Sequence, residues 1–191
     1  MKKLLISAVI AASLGAVAVA NAATPVTSGT ITFTGKVIAP TCTVSVNNGP
    51  ASQTVNLTPY YDTTALTQGN AVGWTPVTLT LSNCGATANA SKVYPYFTGA
   101  NIDAANGYLA NTVTSGNGGS NVEVVLSSDQ SLGNALTLQN ASGSQGAGTA
   151  NLPTSGTSTL SFTYYAAYVA AKADATAGTV NTSVQYALNY Q

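Results

Sequence analysis

The chain has 191 residues, of which only 5% are charged, with five lysines, five acids, no arginine and no histidine, for a formal net charge of zero. So little charge and no basic patch leave no electrostatic footprint for nucleic acid. The lack of histidine removes the usual base of a hydrolytic triad and a leading metal ligand.

The first element stands outside the fold. "MKKLLISAVIAASLGAVAVANA" has two lysines, an apolar run and then Ala20-Asn21-Ala22. That order is a secretory signal peptide, with cleavage expected after Ala22. The rival reading, a membrane anchor, fits less well, because the run is diluted by Ala, Ser and Gly and is short for a span. Residues 23–191 remain, one domain's worth of chain and enough for a core. They keep Lys36, Lys92 and Lys172 against Asp62, Asp103, Glu123, Asp129 and Asp174, a net charge of −2. A surface this poor in charge associates readily.

The elements that follow are nearly all strands. "GTITFTGKV" (29–37) alternates Ile31, Phe33, Gly35 and Val37, the period of a half-buried strand. "CTVSV" (42–46) shifts the parity to Cys42, Val44 and Val46, which predicts a bend or bulge near Pro40. "SQTVNL" (52–57) reads as a short strand and "DTTAL" (62–66) as the single weak helix candidate. "PVTLTLSNC" (76–84) alternates Val77, Leu79 and Leu81, and "KVYPYFTG", "VEVVLS", "ALTL" (135–138) and "STLSFTYYAAYVA" (158–170) read as further strands. The turn-rich runs 114–121 and 139–156 separate them. The last strand places Val180, Thr182, Val184, Tyr186, Leu188 and Tyr190 on one face and runs to the end of the chain with no charge to blunt its edge. Open strand edges template further pairing. Many short strands at this spacing predict an all-β, immunoglobulin-like antiparallel sandwich.

No motif carries chemistry. Cys42 and Cys84 are the two cysteines, and export would put them in an oxidising compartment. Two cysteines without histidine make neither a usual zinc site nor a catalytic dyad. A structural bridge, contributing about 4 kcal/mol in the chain-entropy model, is the expectation. "NIDAANG" (101–107) echoes a calcium loop but lacks its alternating ligands and closing Glu, and reads as a surface turn. The N-x-S/T triplets at Asn56, Asn89, Asn140 and Asn181 follow from composition. Trp74 is either a sugar-stacking platform or, as the plainer reading, a core or rim aromatic at a strand start. No cofactor, metal or enzymatic activity is expected.

Three features remain: an alternating segment near the N-terminus, one cysteine pair, and a strand at the extreme C-terminus. Together they resemble the chaperone–usher pilins, specifically the main subunits of type 1-like fimbriae of Gram-negative bacteria. "GTITFTGKVIAPTCTV" looks like the family's N-terminal extension running into its first strand and first cysteine. "VGWTPVTLTLSNC" looks like the strand bringing the second, and "FTGANIDAANGYLAN" is similar to the loop after the following strand. A glycine fourteenth from the end and a penultimate tyrosine, here Gly178 and Tyr190, match the family's C-terminal signature. The Gly/Ser/Asn loop 139–156 is enlarged relative to that pattern.

The resemblance implies an incomplete sandwich, completed by a donor strand from a neighbouring subunit. Its organisation would be signal peptide 1–22, donor-strand extension 23–35 and pilin domain 36–191. The donor face would be Thr27, Gly29, Ile31, Phe33 and Gly35. Gly178, Val184, Tyr186, Leu188 and Tyr190 would lie on the strand at the groove edge, where a periplasmic chaperone docks first. Partners would be identical or related subunits, the chaperone, an outer-membrane usher and a tip adhesin, with export through the periplasm to a surface fimbrium. The alternatives are a minor or adaptor subunit, or a secreted carbohydrate-binding adhesin. The latter would use Trp74 and tyrosines 60, 61, 94, 96, 164, 165 and 168 for stacking.

Overall fold

A computed structural model describes residues 42–86, 90–154 and 158–191. The signal peptide, the expected strand 29–37, the bend near Pro40, the five donor-face residues and Asn89 all lie outside the described residues.

The described chain is two antiparallel sheets. One is ordered β1 (Thr43–Val46), β2 (Ala71–Ser82), β6 (Leu160–Val169), β4 (Glu123–Ser127), and the other β5 (Ala150–Asn151), β3 (Lys92–Thr98), β7 (Gln185–Tyr190). Period-two alternation explains both faces. Leu79 and Leu81 of β2, Phe162, Tyr164 and Ala166 of β6, and Val93 and Phe97 of β3 all enter one core. Tyr186, Leu188 and Tyr190 reach it from β7, where they stand opposite Phe97, Pro95 and Val93. Phe97 and Tyr164 meet edge to face with ring centroids 5.2 Å apart, a favoured aromatic geometry. The Tyr164 hydroxyl donates to the Ala147 carbonyl at 2.6 Å, so its burial leaves no polar atom stranded.

β2 begins five residues before the "PVTLTLSNC" run. It pairs with β6 from Ala71 to Leu81, with a register shift between Val72 and Thr75. Gly73 takes φ +75° there, and a Cβ on it would lie 3.1 Å from the Tyr168 ring. This bulge flips the parity of the strand. Val72 faces Tyr168 inward, whereas Trp74 turns out to pack with Val125, Ala167 and Val169 on the opposite face of the sheet.

Three expectations differ from the structure. Residues 52–57 form no ladder, and Leu136 of the "ALTL" run only donates to the Leu126 carbonyl at 2.8 Å beside an isolated bridge between Ser127 and Ala135. An alternating sequence supplies a strand face, but strand identity also needs a partner edge, which lies elsewhere in the chain. The helix candidate is a 3-10 turn at Thr63–Ala65, held by the Asp62 carboxylate accepting from the Thr64 and Ala65 amides. The expected bridge, by contrast, is present: Cys42 and Cys84 are disulfide-bonded, joining the start of β1 to the residue that follows Asn83 at the end of β2.

Candidate functional site

Between the two sheets runs an open groove of about 1070 Å³. Its floor is apolar, with Val77, Leu79, Leu109, Val124, Leu126 and Ala166 among the lining residues, and none of the described residues that line it is charged. One rim is residues 51–57 and the other 179–186. Neither rim is an ordinary strand edge. Among the described residues, no backbone–backbone hydrogen bond ties residues 52–57 to another segment.

Among the described residues, the main chain of the second rim at 181–183 is anchored from one side. The Thr112 amide donates to the Asn181 carbonyl at 2.8 Å, and the Asn101 side chain donates to the Ser183 carbonyl at 3.2 Å. Backbone groups alternate sides along an extended chain. With Asn181 and Ser183 bonded outward to the loop 101–112, the amides and carbonyls of Val180, Thr182 and Val184 face the groove. Further on, β3 occupies one edge of β7 from Gln185 to Tyr190, and the other edge has no ladder partner among the described residues. The buried Thr182 hydroxyl has no hydrogen-bond partner either. The groove thus presents an apolar floor between main-chain rims left unpaired among the described residues, the shape and chemistry of one β-strand.

Of the expected groove-edge residues, Val184 and Tyr186 line the groove, and Leu188 and Tyr190 continue the same inward face into β7. Gly178 sits just before the rim, where a Cβ would lie 2.3 Å from the Ser120 nitrogen. Its glycine is required by this close approach of two backbones, which the amide of Ser120 uses to reach the Thr179 carbonyl at 3.1 Å.

The aromatic side chains weighed as a sugar platform do not form one surface, and of them Tyr60, Tyr61 and Tyr168 alone come together, at a small second cleft. Tyr164 is in the core, Trp74 and Tyr165 are on the outer face of the first sheet, and Tyr94 and Tyr96 alternate with the buried residues of β3. Tyr60 and Tyr61 are exposed. The 101–107 segment is a turn in which Asp103 caps the Ala105 amide and accepts from Lys172 at 2.5 Å. Lys172 also reaches Glu123 at 2.7 Å, and Asn106 donates to the same carboxylate. These bonds hold Asp103 below, and Lys172 above, their ordinary pKa values.

One supporting residue has no sequence signature. Gln145, inside the Gly/Ser/Asn-rich loop, is buried and acts as a substitute strand for β3. Its Oε1 accepts from the Phe97 amide at 2.8 Å, and its Nε2 donates to the Phe97 and Leu138 carbonyls at 2.7 Å.

The model of the fimbrial protein family matches residues 31–191. The chain belongs to the fimbrial protein family. It is 35% identical to the F17 fimbrial protein of Escherichia coli over 91% of this chain and 93% of that one. It is also 35% identical to the major fimbrial subunit SMF-1 of Stenotrophomonas maltophilia, over 90% and 95% of the two chains. A solved chaperone–usher pilus structure superposes with a TM-score of 0.55 at 20% identity, covering 87% of this chain and 98% of that chain. The fimbrial subunit therefore has the chaperone–usher pilin fold, and its role is structural, as a component of surface fimbriae.

Proposed function

We propose that this fimbrial subunit polymerises by donor-strand exchange, the N-terminal extension of one copy filling the groove of the next. The carrying observation is the uncharged groove between rims 51–57 and 179–186, with main-chain groups of the second rim turned into it. The sequence supplies a segment of matching form. Thr27, Gly29, Ile31, Phe33 and Gly35 share one parity, so Ile31 and Phe33 fall on the floor while the strand backbone satisfies both rims. Each anchor contributes roughly 1.5–3 kcal/mol on burial. The contact is heterologous and does not close, so it builds a filament.

Before assembly the same edge serves the periplasmic chaperone, whose strand occupies the groove until the next subunit displaces it at the usher. Residues 1–22 direct export and are removed. The filament carries a tip adhesin, and its role is mechanical rather than catalytic. A main rather than adaptor position is supported by the relative named as a major subunit.

Phe33→Asp tests this reading. It would bury an unpaired carboxylate in a groove whose described lining residues carry no charge to receive it, a cost well above the lost apolar burial. Thr32→Asp, on the opposite parity, is the control. Sheared fimbriae heated in detergent should show a ladder for Thr32→Asp and none for Phe33→Asp, with chaperone-bound monomer still present in both strains. Equal ladders would overturn the assignment of the donor face.

A further inference from the structure

Beyond the start of the terminal rim, where β2 begins and β6 ends, lies a second cleft of about 340 Å³. Leu66, Val122, Tyr168 and Val180 line it, and Tyr60 and Tyr61 complete its wall. Tyr168 and Val180 also line the main groove, so the cleft continues it. Tyr60 is 40% and Tyr61 92% exposed, the two exposed large apolar side chains among the described residues. Two aromatic rings held in water beside an apolar cleft mark an interaction surface rather than a core.

We propose that Tyr60, Tyr61 and this cleft receive the folded body of the next copy of this chain, at its Cys42–Cys84 end. The inference rests on the donor-strand reading and adds to it a contact between bodies. Every ladder among the described strands is antiparallel. A strand added beside the terminal segment in the same manner runs from Tyr190 toward Val180. Its C-terminal end, Gly35, then emerges beside the cleft.

From Gly35 to Cys42 is seven residues, which span at most ~25 Å when fully extended. The body of the incoming subunit is therefore tethered within that distance of Tyr60 and Tyr61. At such an effective concentration even a weak apolar contact is occupied. Charge does not oppose it, because none of the described residues lining the cleft is charged, and no charged residue occurs in 42–48 or 82–86 around the bridge. The consequence is a filament whose joints are held by a body contact as well as by the exchanged strand.

The test places the photoreactive residue p-benzoylphenylalanine at position 61 in assembled filaments and identifies cross-linked peptides by mass spectrometry. Cross-links to peptides around Cys42 or Cys84 are expected. Within one copy these lie at opposite ends of the twelve-residue β2, ~35 Å apart at the usual strand rise, so such links must join two copies. A companion variant, Tyr60→Ser with Tyr61→Ser, should keep the detergent-resistant ladder while the filament's persistence length falls at least twofold. Cross-links confined to other surfaces or to added glycans, or an unchanged persistence length, with the ladder intact, would overturn the body contact alone. Loss of the ladder in unaltered filaments would instead remove the donor-strand reading on which it rests.

Discussion

The Tyr186 hydroxyl donates a 2.7 Å hydrogen bond to the Ala51 carbonyl, joining the two rims at one end of the groove. The rims come from segments 135 residues apart in sequence, and nearer the cleft neither has a main-chain partner on its groove side among the described residues. The bond sets the groove's width where β7 begins, and burial of the hydroxyl raises its pKa.

Tyr186→Phe removes that bond and keeps the ring opposite Phe97. A loss of about 1 kcal/mol is expected, read as a lower midpoint in urea unfolding with an unchanged slope. No change in midpoint would show that the rims are set by packing alone.

Gln145→Ala should be more damaging. It deprives the buried Phe97 amide and the Phe97 and Leu138 carbonyls of their partner, and unsatisfied buried groups cost about 1–3 kcal/mol each. Gln145→Glu should also destabilise, because a carboxylate accepts but cannot donate to the two carbonyls. Urea unfolding of purified subunit checks both variants against the parent.

Gly178→Ala brings a methyl group to within 2.3 Å of the Ser120 nitrogen. Backbone on both sides has to shift, which typically costs 1–3 kcal/mol. Because the displaced backbone leads into the rim at Thr179, periplasmic accumulation of subunit should fall with melting temperature. A variant with parental melting temperature and yield would show that the approach can relax.

The Lys172 cluster gives a pH dependence whose sign follows from its shifts. Lys172 holds the Asp103 pKa down, so that contribution to stability is present above the unfolded carboxylate pKa and is lost as pH falls through the folded one. Lys172 is held above its ordinary value by Asp103 and Glu123, so its contribution is complete at neutral pH and fades only in strong alkali. Lys172→Met should therefore be less stable than the parent at pH 7, and the difference should shrink as pH drops below about 4. A difference independent of pH would assign the role of Lys172 to its aliphatic stem.

The inward faces of β2, β3, β6 and the terminal strand were legible because period two survives in the sequence wherever one face meets a core. What was not legible depends on remote partners. The parity flip at Gly73 becomes visible only against Tyr168. Residues 52–57 carry a strand pattern, yet they become a groove rim because the edge beside them is open. Gln145 lies in a run of Gly, Ser and Asn with no periodicity, and its value comes from Phe97, 48 residues away. Lys172, Asp103 and Glu123 are likewise joined only by the fold. Of the site itself, the C-terminal rim could be read from alternation, while the opposite rim and the closing Tyr186–Ala51 bond could not.

The most direct test of strand exchange is a near-atomic helical reconstruction of the assembled filament. Donor-strand exchange predicts a continuous strand between residues 51–57 and 179–186, with Ile31 and Phe33 on its inward face and its chain leading to Cys42 of the adjacent subunit. A strand leading to Cys42 of the same subunit, or a groove filled by any other segment, would contradict it.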